Sequence, residues 1–160
     1  MSTELALDAI ARDTGAGKFQ VAVQVAGAAL LLDEPASVGG LGSGPTPYQM
    51  LASALAACTT MTLRVYALQK GWPVTGIRTL AGHRREAGAV PADLFTRRIE
   101  IEGELDSVQR ARLLEIADRC PVHRTLAGGA RVETELADAA APAEPAAAHA
   151  ADLEHAIRER

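Results

Sequence analysis

Leu5 and Leu7 alternate with polar neighbours between Glu4 and Arg12, and Phe19, Val21, Val23 and Val25 do the same between Lys18 and Val25. A two-residue period is that of a strand with one face buried, so both segments are expected to be strands. Ala26-Gly27 then leads into a third short run, Ala28 to Leu32, as in an antiparallel meander. Asp33-Glu34-Pro35 ends it. The following run, Val38 to Pro47, holds Gly39, Gly40, Gly42 and Gly44 and is expected to be a flexible loop.

After Pro47 the period changes. Met50/Leu51, Ala54/Leu55, Cys58, Met61/Thr62 and Val65 recur at three- and four-residue spacing, which predicts a helix from about Tyr48 to Lys70. Thr46 is placed to cap it, Pro47 suits its first turn, and Gly71 and Pro73 stop it. Nearly every position from Met50 to Met61 is apolar or small, so this half of the helix is expected to be buried all round.

Two further strands, Val74 to Arg84 and Leu94 to Glu104, are joined by a link containing Gly88 and Pro91 and form an expected hairpin. A second helix opens at Leu105-Asp106-Ser107 and is broken by Pro121, so that Cys120 falls at the break. A last strand is expected from Ala130 to Leu136. These elements make residues 1–137 one domain of the α+β class. Residues 138–160 form an Ala/Pro-rich tail with a possible short C-terminal helix.

Composition narrows the partners. The chain has 160 residues, 48% of them apolar but only 3% aromatic, so Ala, Leu and Val must fill its core or a core shared with a second subunit. A net charge of −4 argues against a phosphate-binding surface and hence against nucleic acid. The N-terminus lacks a secretory pattern and no membrane span is expected, which makes the expected location cytoplasmic.

In a reducing compartment two cysteines are more often chemical than structural. Cys58 on its own reads as a small hydrophobe in a helix core, although Thr59, Thr60 and Thr62 add hydroxyls beside it. Cys120, at a helix stop and followed by His123 and Arg124, has surroundings that favour a thiolate, beside the reading of a half-buried thiol. Cys120 and His123 have half the spacing of a zinc site, but the other half is missing, and no metal is expected. Nucleophile-elbow, Walker and dinucleotide-binding patterns are absent. Two distant thiols can act together in redox chemistry: one attacks a peroxide and becomes a sulfenic acid, and the second condenses with it to a disulfide.

Gly44-Pro-Thr-Pro-Tyr-Gln-Met-Leu-Ala-Ser-Ala-Leu-Ala-Ala-Cys58-Thr-Thr-Met, Gly71-Trp-Pro-Val, His83, Arg98-Ile-Glu-Ile-Glu-Gly103 and Ile116-Ala-Asp-Arg-Cys120-Pro-Val-His-Arg-Thr-Leu126, in this order, resemble the OsmC/Ohr family of thiol peroxidases. Within it they resemble the OsmC-like branch with a C-P-V-H motif. The resemblance spans about residues 12 to 137. It implies antiparallel sheets wrapped around two central helices in an intertwined homodimer, with Cys58 as the peroxidatic and Cys120 as the resolving thiol. It also implies an Arg from the N-terminal strand region and a Glu at the start of the cysteine helix. Here Tyr48-Gln49 stands where the acid belongs, and Arg12 and Lys18 are the candidate cations. His123 of the C-P-V-H motif is a further supporting residue.

The function so implied is reduction of small organic hydroperoxides through a Cys58 sulfenic acid and a Cys58-Cys120 disulfide. An external dithiol would regenerate the thiols, with no cofactor. The alternative is a catalytically weak OsmC-like protein that binds a small ligand or senses redox state.

Overall fold

The computed structural model describes residues 9–136 and Arg158. Among the described residues two compact units divide the chain: residues 9–50 with 132–136, and residues 51–131 with Arg158.

In the first unit, strands β1 (Ala9–Asp13), β2 (Val21–Val25) and β3 (Ala28–Leu32) form an antiparallel sheet in sequence order. Val23 pairs with both Ala11 and Leu30. Leu5 and Leu7 lie outside the described residues. The second strand begins three residues later than the alternation suggests, because Thr14 bonds back to Gln20 and Gly15 and Gly17 take positive φ, which spends Lys18 to Gln20 on the turn. Ala26 and Gly27 both have positive φ, the signature of a two-residue hairpin turn whose twist matches its strands.

The glycine-rich run after β3 is held at several points. It contains a short 3-10 turn, Ala36–Val38, and it is organised by the buried Asp33 carboxylate. One oxygen accepts from the Glu34 amide at 2.8 Å; the other accepts from the amides of Leu41 at 3.0 Å and Ser43 at 3.1 Å and from the Ser43 hydroxyl at 2.8 Å. A Cβ at Gly40 would collide with the Glu34 carbonyl, and one at Gly44 with that of Leu31, so only glycine permits this closeness.

Helix α1 (Pro47–Lys70) starts with Pro47 in its first position. The Thr46 hydroxyl accepts from the Gln49 amide at 3.2 Å, while Gln49 Oε1 accepts from the Thr46 amide at 2.8 Å, a reciprocal capping box. Gly71, at φ 64°, ends the helix.

In the second unit, β4 (Val74–Arg85) and β5 (Asp93–Gly103) pair antiparallel, with Thr79 opposite Ile99. Helix α2 (Ser107–Ala117) is capped by Asp106, whose carboxylate accepts from the Gln109 amide. Leu63, Tyr66 and Ala67 of α1 share one core with Val74, Leu113, Ile116 and Ala117, and Ile77, Ile99 and Ile101 pack against it. The core therefore joins α1, α2 and the hairpin.

Four expectations need correction. Pro121 does not simply end a helix: it opens a third one, α3 (Pro121–Gly128), because the first turn has no use for the N–H that proline lacks. Ala130 to Leu136 is not a strand, since no described strand pairs with it and Val132 and Leu136 are exposed. The first half of α1 is buried on one face only, because a single chain covers one side of the helix and leaves Leu51 and Met61 exposed. By length and composition α1 is also apolar enough to cross a membrane, with a mean hydropathy of 1.3 over its most apolar window, against the expectation that no segment would be. Its buried face belongs to the core just described. The expected C-terminal helix falls almost wholly outside the described residues.

Burial alone would raise the Asp33 pKa, but the Ser43 hydroxyl and the amides of Ser43, Glu34 and Leu41 outweigh it and hold the carboxyl below its usual value. A lowered folded pKa contributes stability above the ordinary carboxylate range and loses it as pH falls through the lowered value. Asp33→Asn is therefore expected to melt below the parent at neutral pH and to converge on it in acid. Circular dichroism melts at stepped pH test this, and an unchanged gap at every pH would contradict it.

Candidate functional site

Cys58 lies in the middle of α1, on the face turned to the core, and is 2% exposed. The three threonines around it are already engaged. Thr59 and Thr62 donate to the carbonyls of Leu55 and Cys58 one turn back, at 2.7 and 2.8 Å, and Thr60 bonds Thr79 of β4 at 2.9 Å. Their hydroxyls thus let a polar stretch of helix enter the interior without an unmet donor.

Cys120 is fully buried and stands between α2 and α3. Its amide donates to the Ala117 carbonyl at 3.2 Å, which closes the end of α2, and its own carbonyl accepts from Arg124 at 3.0 Å, which starts α3. One residue thus ends one helix and caps the next. This sharp junction turns the Cys120 side chain inward, where it forms a buried cluster with Cys58, backed by Val122. Both thiols are free.

The two packed thiols are placed for one to donate to the other, and this sets their acidities. Cys120 is lowered to about 5, first by the hydrogen bond from Cys58 and then, against the cost of burial, by the His123 amide, the Thr59 hydroxyl and the Val122 amide. Those amides close no capping bond by strict geometry, and they act as N–H dipoles at a helix N-terminus facing a charge. Cys58 is pushed up, first by the same hydrogen bond and then by burial. One proton shared by two thiols accounts for both directions: the first ionises easily because the second donates to it, and the second then resists.

A cavity of about 390 Å³ opens one turn from each cysteine, lined by Leu55, Phe95, Leu126 and Ala127 with Arg97 and His123 among its polar groups. Neither sulfur lies on its wall. Asp93, also on the wall, is bonded to His83 at 2.9 Å, and His83 packs on Phe95 with ring centres 4.8 Å apart.

Of the residues singled out in the sequence, Cys58, Cys120 and His123 come together in the second unit. His123 Nδ1 is 3.9 Å from Asp118. Arg12, in β1, and Lys18, in the turn before β2, are exposed residues of the first unit, as is the 45% exposed Tyr48. Gln49 belongs there too, with its side-chain oxygen in the capping box. Among the described residues no three His, Cys, Asp or Glu side chains gather as a metal set.

Arg97 was not legible as a site residue from motifs. Its Nη1 donates to the Thr59 hydroxyl and to the Ala117 carbonyl, each at 3.0 Å, and its Nη2 meets Asp118 at 2.8 Å. The available signal is its place in β5: Phe95, Arg97, Ile99 and Ile101 share the inward face, so one guanidinium stands in an apolar row. A charged side chain at such a position requires partners inside.

A family model described as OsmC-like protein matches residues 40–135. Among solved structures, the chain is similar to an organic hydroperoxide resistance protein OsmC from Legionella pneumophila, with a TM-score of 0.62 at 20% identity, covering 79% of this chain and 93% of that one. It is similar to an OsmC like protein from Mycoplasma pneumoniae at 0.59 and 22%, covering 80% and 90%. An organic hydroperoxide resistance protein from Elizabethkingia anophelis gives 0.62 and 16%, covering 80% and 92%. At these identities the likeness is one of fold, and it includes the mixed helices and antiparallel sheets expected from the sequence. No curated protein matches the chain in sequence.

Removing the donor to Cys120 should cost it its acidity. In Cys58→Ala the remaining thiol is expected to titrate well above the first ionisation of the parent pair, towards the ordinary thiol value. Ultraviolet absorbance of the thiolate against pH reads this directly, and an unmoved midpoint would show that the Cys58 thiol is not what lowers Cys120.

Proposed function

The chain belongs to the OsmC-like family, and from that premise we propose that it reduces organic hydroperoxides with Cys58 and Cys120. The observation that carries the reading is the buried, packed pair of free thiols, with one pKa lowered by the other. The names of the Legionella and Elizabethkingia neighbours point the same way.

In the resting pair Cys120 holds the charge and Cys58 the proton. Passage of that proton across the hydrogen bond makes the Cys58 thiolate, which attacks the outer oxygen of the peroxide. The O–O bond breaks, the alkoxide takes the proton from Cys120 and leaves as the alcohol, and Cys58 becomes a sulfenic acid. The Cys120 thiolate then attacks the Cys58 sulfur and expels hydroxide, which solvent protonates to water. An external dithiol reduces the resulting disulfide by two exchange steps. The apolar side of the cavity, at Leu55, Phe95 and Leu126, suits the carbon skeleton of such a substrate.

The working form we propose is a homodimer. Leu51, Met61 and Leu68 leave an apolar strip on α1, which a second copy would cover. Two unlinked cysteines suit the cytoplasm, where thiols are kept reduced. A second reading, binding of a small apolar ligand without turnover, is favoured by one observation: neither sulfur lines the cavity.

The expected result is that the parent consumes cumene hydroperoxide with a dithiol and Cys58→Ser does not. Cys120→Ser, stopped before the disulfide, should accumulate a sulfenic acid at Cys58 that a cyclic diketone traps. Undiminished turnover by Cys58→Ser would refute the assignment, and an adduct trapped on Cys120 of Cys58→Ser, with none on Cys58 of Cys120→Ser, would reverse the two roles.

A further inference from the structure

Arg97 ties together the two segments that carry the cysteines. From β5 its Nη1 reaches Thr59, the residue after Cys58, and also the Ala117 carbonyl, which already accepts the amide of Cys120. Its third bond, to Asp118, completes a fork that a lysine cannot reproduce.

The charge of this fork is unevenly screened. The Arg97 side chain is 12% exposed and its counter-ion Asp118 is 68% exposed, so water screens the carboxylate much more than it screens the guanidinium on the thiol side. Thr59 is fully buried and has a single hydroxyl proton, which goes to the Leu55 carbonyl in this structure, while the same hydroxyl stands where it can turn to an ionised Cys120 and lower its pKa. In both arrangements its oxygen keeps a lone pair for Arg97. When the proton turns to sulfur, a chain runs from guanidinium to hydroxyl to thiolate, and each bond polarises the next.

We propose that Arg97 is the positioning cation of the thiol pair, holding α1 against the end of α2 and stabilising the Cys120 thiolate through the Thr59 hydroxyl. This rests on the thiol-pair reading above, yet assigns the cationic role within the second unit itself, to a residue of β5. Other charged groups stand nearby: Asp118 and Arg119 after α2, His123 and Arg124 in α3, and Asp93 at the start of β5. All are retained when Arg97 or Thr59 is replaced, so variants at those two positions isolate the chain.

The test titrates the thiolate absorbance of the reduced, full-length protein, with the Cys58→Ser/Cys120→Ser double variant as the blank. Arg97→Met is expected to raise the first midpoint by about one pH unit, that is, to leave about tenfold less thiolate at a pH below it. Arg97→Lys, which keeps the charge but loses the fork, should shift it by less. Thr59→Val, which breaks the chain and leaves the guanidinium, should also raise it and serves if Arg97→Met does not fold. A purely structural clamp would lower the melting temperature of these variants without moving the midpoint. If Arg97→Met, or in its absence Thr59→Val, titrates with the parent, the proposal is overturned. No peroxide is used, so a protein that fails as a peroxidase can still pass or fail here.

Discussion

The buried contact between the Cys58 and Cys120 thiols is the constraint around which the second unit is arranged. Two thiols placed side by side in an apolar interior gain little as neutral groups, but once one is ionised the other becomes its nearest donor. For this to happen, the middle of a long helix and the junction of two shorter ones must meet with their side chains aimed at each other. Leu63, Leu113 and Ile116, all fully buried, supply the packing that fixes α1 against α2. The abrupt change from α2 to α3, with Pro121 in the first turn of α3, then turns Cys120 inward. Burial opposes ionisation, and the surrounding donors offset that cost.

Polar groups near the pair follow one logic: each is satisfied twice over by structure and chemistry. Thr59 and Thr62 bond to their own helix, so the helix accepts them in its buried face. Thr59 also faces Arg97 and Cys120, which makes a residue that packing tolerates into one that chemistry can use. Ala117 O receives both the Cys120 amide and Arg97, so closing the helix end and setting the cation in place are a single event. The cavity then lies where Leu55 and His123, each one turn from a cysteine, form part of its wall.

Much of this was legible in the sequence because it is local. The alternation in Val21 to Val25 and Ala28 to Leu32, the helical spacing from Met50 to Val65, and the cap and stop residues around them are written in adjacent positions. Cys58 and Cys120 were legible as a pair through motif order. The rest depends on contacts between distant residues. Pro121 reads equally as the end of one helix or the start of the next, and the tertiary path decides. Val132 and Leu136 have the alternation of a strand, but an alternating segment becomes one only when an edge pairs with it. Arg97 was hidden because an arginine in a strand ordinarily points to water; its neighbours Phe95, Ile99 and Ile101 carried the clue. Gln49 stood at the position of an acid, and its oxygen closes the helix cap instead of supplying a charge.

If these two thiols act as one redox unit, one equivalent of cumene hydroperoxide is enough to oxidise the reduced protein completely. Mass spectrometry is then expected to show a rapid loss of about 2 Da per chain, as two thiol hydrogens leave, with peptide mapping placing the new bond between Cys58 and Cys120 of the same chain. An unchanged mass, or oxygen added to one cysteine with no bond to the other, would contradict it.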